Sequence, residues 1–212
     1  MKSFWKFTIV ALTITACSKS ASGPSAVRFR LQASNTATGL AAKQDAGTIT
    51  WNSGTATPGS VKFEAKKGTS EVEFTTSGQT VNLFQLSDVF GNITLPEGSY
   101  SEIELKMSLD GSLNSPALEL NGTYNGIPVK FSLTTPLLLK AEKNNVTVTG
   151  GSFTAVTDLN LSLYTTGITQ GMMNSATQTN GVILISSASN SSLYNIIIQN
   201  MDRFHHAEFG HD

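Results

Sequence analysis

The histidines of the chain lie together in the segment FHHAEFGHD at 204–212. Imidazole nitrogens and carboxylate oxygens are ligands of Zn²⁺, Ni²⁺ and Cu²⁺. The candidate ligands in this segment are His205, His206, Glu208, His211 and Asp212. If the preceding helix continued, His205, Glu208 and Asp212 would share one face and His206 would turn away. Gly210 disfavours such a helix, so the alternative is a frayed, solvated tail that binds metal only weakly.

Histidine is absent between Cys17 and Phe204, although it is the side chain most often used for proton transfer at neutral pH. A catalytic triad would have to recruit the histidines of the tail. Paired carboxylates are the other candidates, but they alternate with apolar residues and should lie on the solvent faces of strands. These carboxylates are Glu71, Glu73, Glu102 and Glu104. We therefore predict that the chain is not an enzyme and holds no resident cofactor.

The first residues, MKSFWKFTIVALTITAC, have the features of an export signal. Lys2 and Lys6 precede an apolar run that is much shorter than the ~20 residues needed to span a bilayer. The segment ITAC resembles the lipobox of bacterial lipoproteins, which implies a signal peptide at 1–16, cleavage before Cys17 and lipidation of its thiol. Several acyl chains on one residue give stable anchoring. The alternative is an ordinary secretory signal in which Cys17 is incidental.

The residues after Cys17, SKSASGPSA, are small and polar, and they predict a flexible tether that begins with the lipidated cysteine and covers 17–26. A serine at the position of Ser18 accompanies sorting to the outer membrane in many lipoproteins of Gram-negative bacteria. Lys19 stands where some Bacteroidota lipoproteins carry the acidic run of surface export. We therefore expect a lipid anchor in the outer membrane, on either its periplasmic or its surface side.

Composition excludes two other kinds of protein. Cys17 is the only cysteine, so a single mature chain has no disulfide and no thiolate metal cluster. The formal net charge is −1, and loss of Lys2 and Lys6 with the signal makes it −3. A nucleic-acid partner is not expected, because it would require a basic patch.

From Val27 the sequence alternates between apolar and polar residues, as in strands with one buried and one solvated face. The segments with this pattern are VRFRL, VKFEAK, EIELKMSL, NVTVT and DLNLSLY. Turn residues separate them at TATPGS, LPEG and EKNN, and a hairpin tip falls at Asn125-Gly126 or Asn121-Gly122. The pattern predicts a mainly β protein, with an antiparallel β-sandwich of Ig-like or prealbumin-like type at 27–164.

The segment 165–203 has a different pattern. GITQGMMNSAT and SNSSLYNIIIQNMDRF carry apolar residues at helical spacing, and NGVILISS between them indicates a turn and a buried strand. Leu193, Ile197 and Met201 share one face of the second helix, which needs an apolar partner. We predict a small C-terminal α/β appendage, helix-strand-helix, that packs on the sandwich.

Aromatic residues give a further candidate site. Sugar-binding sites present aromatic faces, and Trp51 lies at a predicted strand end, where it could form such a platform or fill the core. Large aromatic residues usually fill the interior of a sandwich, so the core is the favoured position.

The run VNLFQLSDVFGNITLPEGSYSEIELKM contains an L-P-x-G-x-Y motif at Leu95-Pro96-Glu97-Gly98-Ser99-Tyr100. It resembles a family of uncharacterised bacterial (Bacteroidota-like) outer-membrane lipoproteins with a β-sandwich domain. The stretch from Gly167 to Met201 is similar to the C-terminal part of related lipoproteins. From the lipobox, the tether and the absence of histidine from the sandwich, we predict a membrane-anchored, non-enzymatic envelope lipoprotein with a structural or adhesive role and an envelope protein or glycan as partner. The alternative function is binding of Zn²⁺, Ni²⁺ or Cu²⁺ by the His-rich tail.

Overall fold

The computed structural model describes residues 25–35, 49–85, 92–149, 152–204 and 206–211. The predicted signal peptide and Cys17 lie outside these ranges. The strands within them are β1 (Ser25–Ser34), β2 (Thr50–Ala56), β3 (Ser60–Lys67), β4 (Ser70–Thr76), β5 (Val81–Asn82), β6 (Asn92–Leu95), β7 (Gly98–Asp110), β8 (Leu118–Tyr124), β9 (Ile127–Leu133), β10 (Pro136–Val148), β11 (Ser152–Asn160), β12 (Gln178–Thr179), β13 (Val182–Ile185) and β14 (His206–His211). The helices are α1 (Leu161–Tyr164), α2 (Gln170–Asn174) and α3 (Ser191–Phe204).

The described strands form three hydrogen-bonded sheets. The N-terminal sheet has the order β14-β11-β1-β6, the charged sheet has the order β10-β7-β3-β4, and the six-stranded sheet has the order β12-β13-β9-β8-β2-β5. Most pairs are antiparallel, whereas β1 pairs with β11 and β13 with β9 in parallel. The chain is therefore mainly β, and its mostly antiparallel sheets are consistent with the β-sandwich that the alternation predicts, with a small C-terminal helix.

Period-two alternation decides which face of each strand is buried. In β3, Val61, Phe63 and Ala65 are buried, while Lys62 and Glu64 lie between them on the outer face. Residues from the three sheets and the helices belong to one hydrophobic core. Burial of a side chain as large as that of Phe63 stabilises the fold by about 1.5–3 kcal/mol. A shift of β3 by one residue in register would expose these side chains and lose that stabilisation.

Asn125 and Gly126 form the tip of the hairpin between β8 and β9, with φ values of 49° and 80°. Two positive values are typical of a type I′ turn, which asparagine and glycine adopt most readily. Asn121 and Gly122 lie inside β8 instead. A Cβ at Gly122 would meet the backbone of β2 and the ring of Trp51, so this glycine lets the two strands approach closely.

The predicted turns at TATPGS and LPEG are confirmed, since β2 gives way to β3 and β6 to β7 within them. The predicted EKNN turn is wrong, because β10 runs through it and Asn145 adopts a φ of 57° within continued pairing to β7. The strand predicted for DLNLSLY ends at Asn160. The side-chain oxygen of Asn160 accepts a hydrogen bond from the amide of Leu163 over 3.3 Å and begins α1.

The segment 165–203 contains α2, the short hairpin β12–β13 and nearly all of α3. Strand β13 pairs with β9 and is thus a member of the six-stranded sheet. Helix α3 buries Leu193 and Met201, as its apolar spacing predicts. Tyr194 of α3 stacks on Phe131 of β9 with ring centroids 5.7 Å apart, so the helix and the sheet share one core.

Candidate functional site

The structure places most of the His-rich tail in a strand. Helix α3 ends at Phe204, and β14 then pairs antiparallel with β11 at the edge of the N-terminal sheet. Helix α3 therefore does not continue into the tail, and His206 to His211, including Glu208, form a paired strand and not a frayed end. His205 and Asp212 lie outside the described residues. Alternation of polar and apolar residues in HAEFGH is the sequence signal for this strand, although a helical pattern immediately precedes it.

The register of β14 separates the tail residues into two sets. His206 is directly opposite Asp158 of β11, and Glu208 follows two positions later. His211 is opposite Phe153, at the other parity along the strand. The backbone thus brings the positions of His206 and Glu208 close to Asp158, a residue that the sequence did not single out, and separates them from His211.

Among the described residues, only one carboxylate oxygen of Asp158 has a hydrogen-bond partner. Its Oδ2 accepts a hydrogen bond from the hydroxyl of Ser34 over 2.7 Å, whereas its Oδ1 is buried without a hydrogen-bond partner among the described residues. The hydroxyl of Tyr164 is likewise buried without a partner there. Burial raises the pKa of Tyr164, and the negative charge of Asp158 raises it further. As a carboxylate oxygen, Oδ1 of Asp158 can accept a hydrogen bond or bind a cation.

The outer side of the charged sheet carries charges in rows that run across the strands, and we call this surface the charged face. One row contains lysines that are directly opposite one another, Lys62, Lys106 and Lys140. The next row contains glutamates in the same relationship, Glu73, Glu64, Glu104 and Glu142. Within a row, residues of like charge are directly opposite one another on adjacent strands. Residues of unlike charge lie two positions apart along the same strand, in neighbouring rows.

Two glutamates of the charged face each lie between two lysines. The carboxylate of Glu64 lies 3.0 Å from the ammonium of Lys62 and 3.1 Å from that of Lys106. Glu104 contacts the ammonium of Lys106 and lies 2.7 Å from that of Lys140. Only 6% of Glu104 is exposed. The lysines thus cover the glutamates and offset the repulsion within the glutamate row.

These contacts change the acidity of the groups on the charged face. Hydrogen bonds from Lys62 and Lys106 lower the pKa of Glu64 from 4.5 to about 2. Burial opposes ionisation of Glu104, yet hydrogen bonds from Lys106 and Lys140 outweigh it and hold the pKa of Glu104 below its usual value. Hydrogen bonds to Glu104 and Glu64 raise the pKa of Lys106. At neutral pH Glu64, Glu104 and Lys106 are therefore ionised, and each carries a charge opposite to that of its neighbours.

Three glutamates on the charged face have carboxylate oxygens close enough together to contact one cation. Glu102, Glu104 and Glu142 bring carboxylate oxygens within 4.8 Å of one another. Each of them is also paired with a lysine, Glu102 with Lys66 at 2.9 Å and the other two with Lys140. These lysines already supply the positive charge that a metal ion would bring, so we assign the group to ion pairing.

Buried side chains and the ammonium of Lys67 stabilise the turn of the L-P-x-G-x-Y motif. Leu95 and Tyr100 are buried at its two ends. Gly98 has a φ of 141°, and a Cβ there would lie 2.3 Å from the Nζ of Lys67. The ammonium of Lys67 donates a hydrogen bond to the carbonyl oxygen of Glu97 and lies 5.7 Å from the ring centroid of Tyr100. The motif therefore acts in packing the turn between β6 and β7.

Trp51 and the tyrosines fill the core. Trp51 is 3% exposed, which confirms its predicted position. The tyrosines are buried as well, namely Tyr100, Tyr124, Tyr164 and Tyr194. None of these five residues forms a platform for a sugar ring, so a glycan would have to be bound by other residues.

An open cleft of about 430 Å³ lies beside the first turn of α3. Its lining consists of hydroxyl, amide and apolar side chains, from Met172, Ser175, Ala176, Thr177, Asn190, Ser191, Ser192 and Leu193. The amide of Asn190 is engaged with backbone groups of Thr177 and Leu184. This lining offers hydrogen bonds to a neutral ligand but no group for proton transfer.

Within the described ranges no helix has the length and apolar character needed to cross a bilayer. Comparison with protein-family models, with curated proteins and with solved structures finds no match to this chain.

Proposed function

We propose that the chain is a lipid-anchored envelope lipoprotein, attached to the outer membrane through Cys17, with a structural or adhesive role and no enzymatic activity. The observation that carries the proposal is the sequence Ile14-Thr15-Ala16-Cys17, which follows a basic, apolar segment and precedes a polar tether. A folded domain on a short polar tether is suited to presenting a surface to an envelope protein or a glycan.

The chemistry of the charged face supports a role other than catalysis. Lysines hold Glu64 and Glu104 ionised at neutral pH, whereas a general acid or base works best with a pKa near the working pH. The L-P-x-G-x-Y motif also serves packing, because Tyr100 is buried within it. These side chains are therefore better explained by the stability and solubility of the sandwich.

Metabolic labelling with a palmitate analogue tests the anchor. The full chain, expressed in a bacterium that processes lipoproteins, should incorporate the label and fractionate with the outer membrane. Cys17→Ser should lose the label and leave the membrane fraction, whereas Ser20→Ala in the same tether should behave like the parent. Label retained by Cys17→Ser, or a parent protein that is unlabelled and soluble, would contradict the proposal.

The second candidate function is metal binding between β14 and β11, at the edge of the N-terminal sheet. The register of β14 favours this function. His206 is opposite Asp158, Glu208 is two positions further along, and Oδ1 of Asp158 has no hydrogen-bond partner among the described residues. Imidazole and carboxylate groups on adjacent strands are ligands that Zn²⁺ accepts. This candidate uses Asp158 in place of His211.

Calorimetric titration of Zn²⁺ into a protein that begins at Ser18, and so lacks the predicted signal and Cys17, tests this candidate. Binding should be lost in His206→Ala and in Asp158→Asn and retained in His211→Ala, which is matched in chemistry but has the other parity in β14. Equal binding by all of these variants, or none by the parent, would remove the candidate.

A further inference from the structure

The strand that follows the tether begins at one defined end of the molecule. Ser25 is opposite Leu95, the last residue of β6. The next two residues, Pro96 and Glu97, lead directly into β7, whose first residue Gly98 is opposite Val148 at the end of β10. The turn between β3 and β4 lies at this end too, since Lys67 binds the carbonyl of Glu97. We call these residues the tether end, namely Ser25, 68–70, 95–98 and Val148.

The opposite end of the charged sheet contains Leu113, which is an exposed apolar residue, and the cleft. Asp110, the last residue of β7, is opposite Pro136, and Leu113 in the turn that follows is 61% exposed. The hydroxyl of Thr135, next to Pro136, lies 2.7 Å from that of Tyr194 in α3. The first half of α3 and the cleft beside it therefore lie at this opposite end, which we call the far end.

The tether is shorter than the domain. Cys17 and Ser25 are eight residues apart, a length that spans about 29 Å when fully extended and about 16 Å on average when flexible. Strand β7 alone has 13 residues between the two ends, which corresponds to about 40 Å. A lipidated Cys17 therefore keeps the tether end close to the bilayer and gives the far end much greater freedom to stand away from it.

Resting on the proposed lipidation of Cys17, we infer that the tether end lies against the phospholipid headgroups of the anchoring membrane, and that the far end points away from it. The partner of the tether end is the bilayer that holds the acyl chains of Cys17. The far end, with Leu113 and the cleft of hydroxyl and amide groups beside α3, faces away from that bilayer.

Energy transfer to the membrane surface tests this orientation in the lipidated full chain. Cys17 is the only cysteine, and lipidation blocks its thiol, so one introduced cysteine is the only site for a thiol-reactive donor dye. Exposed positions suit the label at the tether end, on the charged face and at the far end: Thr69→Cys, Thr75→Cys and Leu113→Cys. Each labelled protein is placed in phosphatidylethanolamine and phosphatidylglycerol vesicles with acceptor dyes on some headgroups, and flotation checks the anchoring.

Transfer should be several-fold stronger from Thr69→Cys than from Leu113→Cys, with Thr75→Cys between them. Equal transfer from all three, or the strongest transfer from Thr75→Cys or Leu113→Cys, in protein that floats with the vesicles would overturn the orientation and leave the anchor standing. Protein that does not float, or that takes up dye at Cys17, would overturn both the orientation and the proposed lipidation.

Discussion

The phenolic hydroxyl of Tyr100 donates a hydrogen bond to the carbonyl oxygen of Pro96 over 2.6 Å. The two residues are the second and last positions of the motif L-P-x-G-x-Y, so this bond joins the start of the turn to the strand that leaves it. The tyrosine ring is buried and places its hydroxyl under the turn. The side chain of Tyr100 therefore stabilises the turn of the motif. Its hydroxyl contributes to this stability in addition to the packing of its ring.

Tyr100→Phe should lower the free energy of unfolding by about 1 kcal/mol, because the ring still fits while the hydrogen bond is lost. Urea denaturation followed by circular dichroism measures this change. Tyr164→Phe is the matched control, since Tyr164 is equally buried but its hydroxyl has no hydrogen-bond partner among the described residues. The control should be unchanged or more stable, and an equal loss in both variants would contradict the role of the Pro96 bond.

Gly98→Ala should destabilise the domain by about 1–3 kcal/mol, because a side chain is strained at the positive φ of this residue. The added Cβ would also displace the ammonium of Lys67 from the turn. Gly171→Ala is the control, since Gly171 lies in α2 with only ordinary contacts around a Cβ, and alanine should improve helix propensity there by roughly 0.5–1 kcal/mol. Thermal unfolding of the two variants should therefore shift in opposite directions.

Ionisation of Glu64 should contribute to the free energy of unfolding, and this contribution should be lost in acid. Its pKa is 4.5 without its neighbours and about 2 in the folded chain, so the folded state favours the ionised form. The stabilisation is fully present above pH 4.5 and is lost as the pH falls toward 2. In Glu64→Gln the free energy of unfolding should depend less on pH across this window. Added salt should shrink the same component in the parent, and an unchanged pH profile in the variant would refute this assignment.

Tyr194→Phe should loosen α3. The hydroxyl of Tyr194 accepts a hydrogen bond from the buried amide of Thr134 over 3.1 Å, and an unpaired buried amide costs about 1–3 kcal/mol. Amide hydrogen exchange should become faster in α3. In the companion variant Tyr124→Phe, which removes a 2.8 Å hydrogen bond to Asn174, the faster exchange should appear in α2 instead. The same pattern of exchange in both variants would contradict this separation of roles.

Local pattern was sufficient to predict much of the sandwich. Alternation identified the buried faces of β3 and β7, and Asn125-Gly126 formed the expected hairpin because its positive φ values are set by residue type. The EKNN segment did not turn, since continued pairing to β7 stabilises Asn145 in a conformation that asparagine tolerates. Here tertiary pairing outweighed local preference.

Properties that depend on which strands become neighbours could not be read from the sequence. The lysine and glutamate rows require β3, β7 and β10 to be adjacent and in one register, although Lys and Glu do recur two residues apart in VKFEAK, EIELKM and LKAEK. The pairing of His206 with Asp158 likewise depends on β14 joining β11. Periodicity shows the face on which a residue lies but does not identify the residue opposite it.

The parallel pairing of β1 with β11 has a consequence for the order of folding. Ala26 is opposite Ser152, so the first described strand gains this neighbour only after most of the chain has been synthesised. Contacts between residues so distant in sequence carry a large loop-closure entropy and are associated with slow folding. The N-terminal sheet should therefore close late, after most of the chain has left the ribosome.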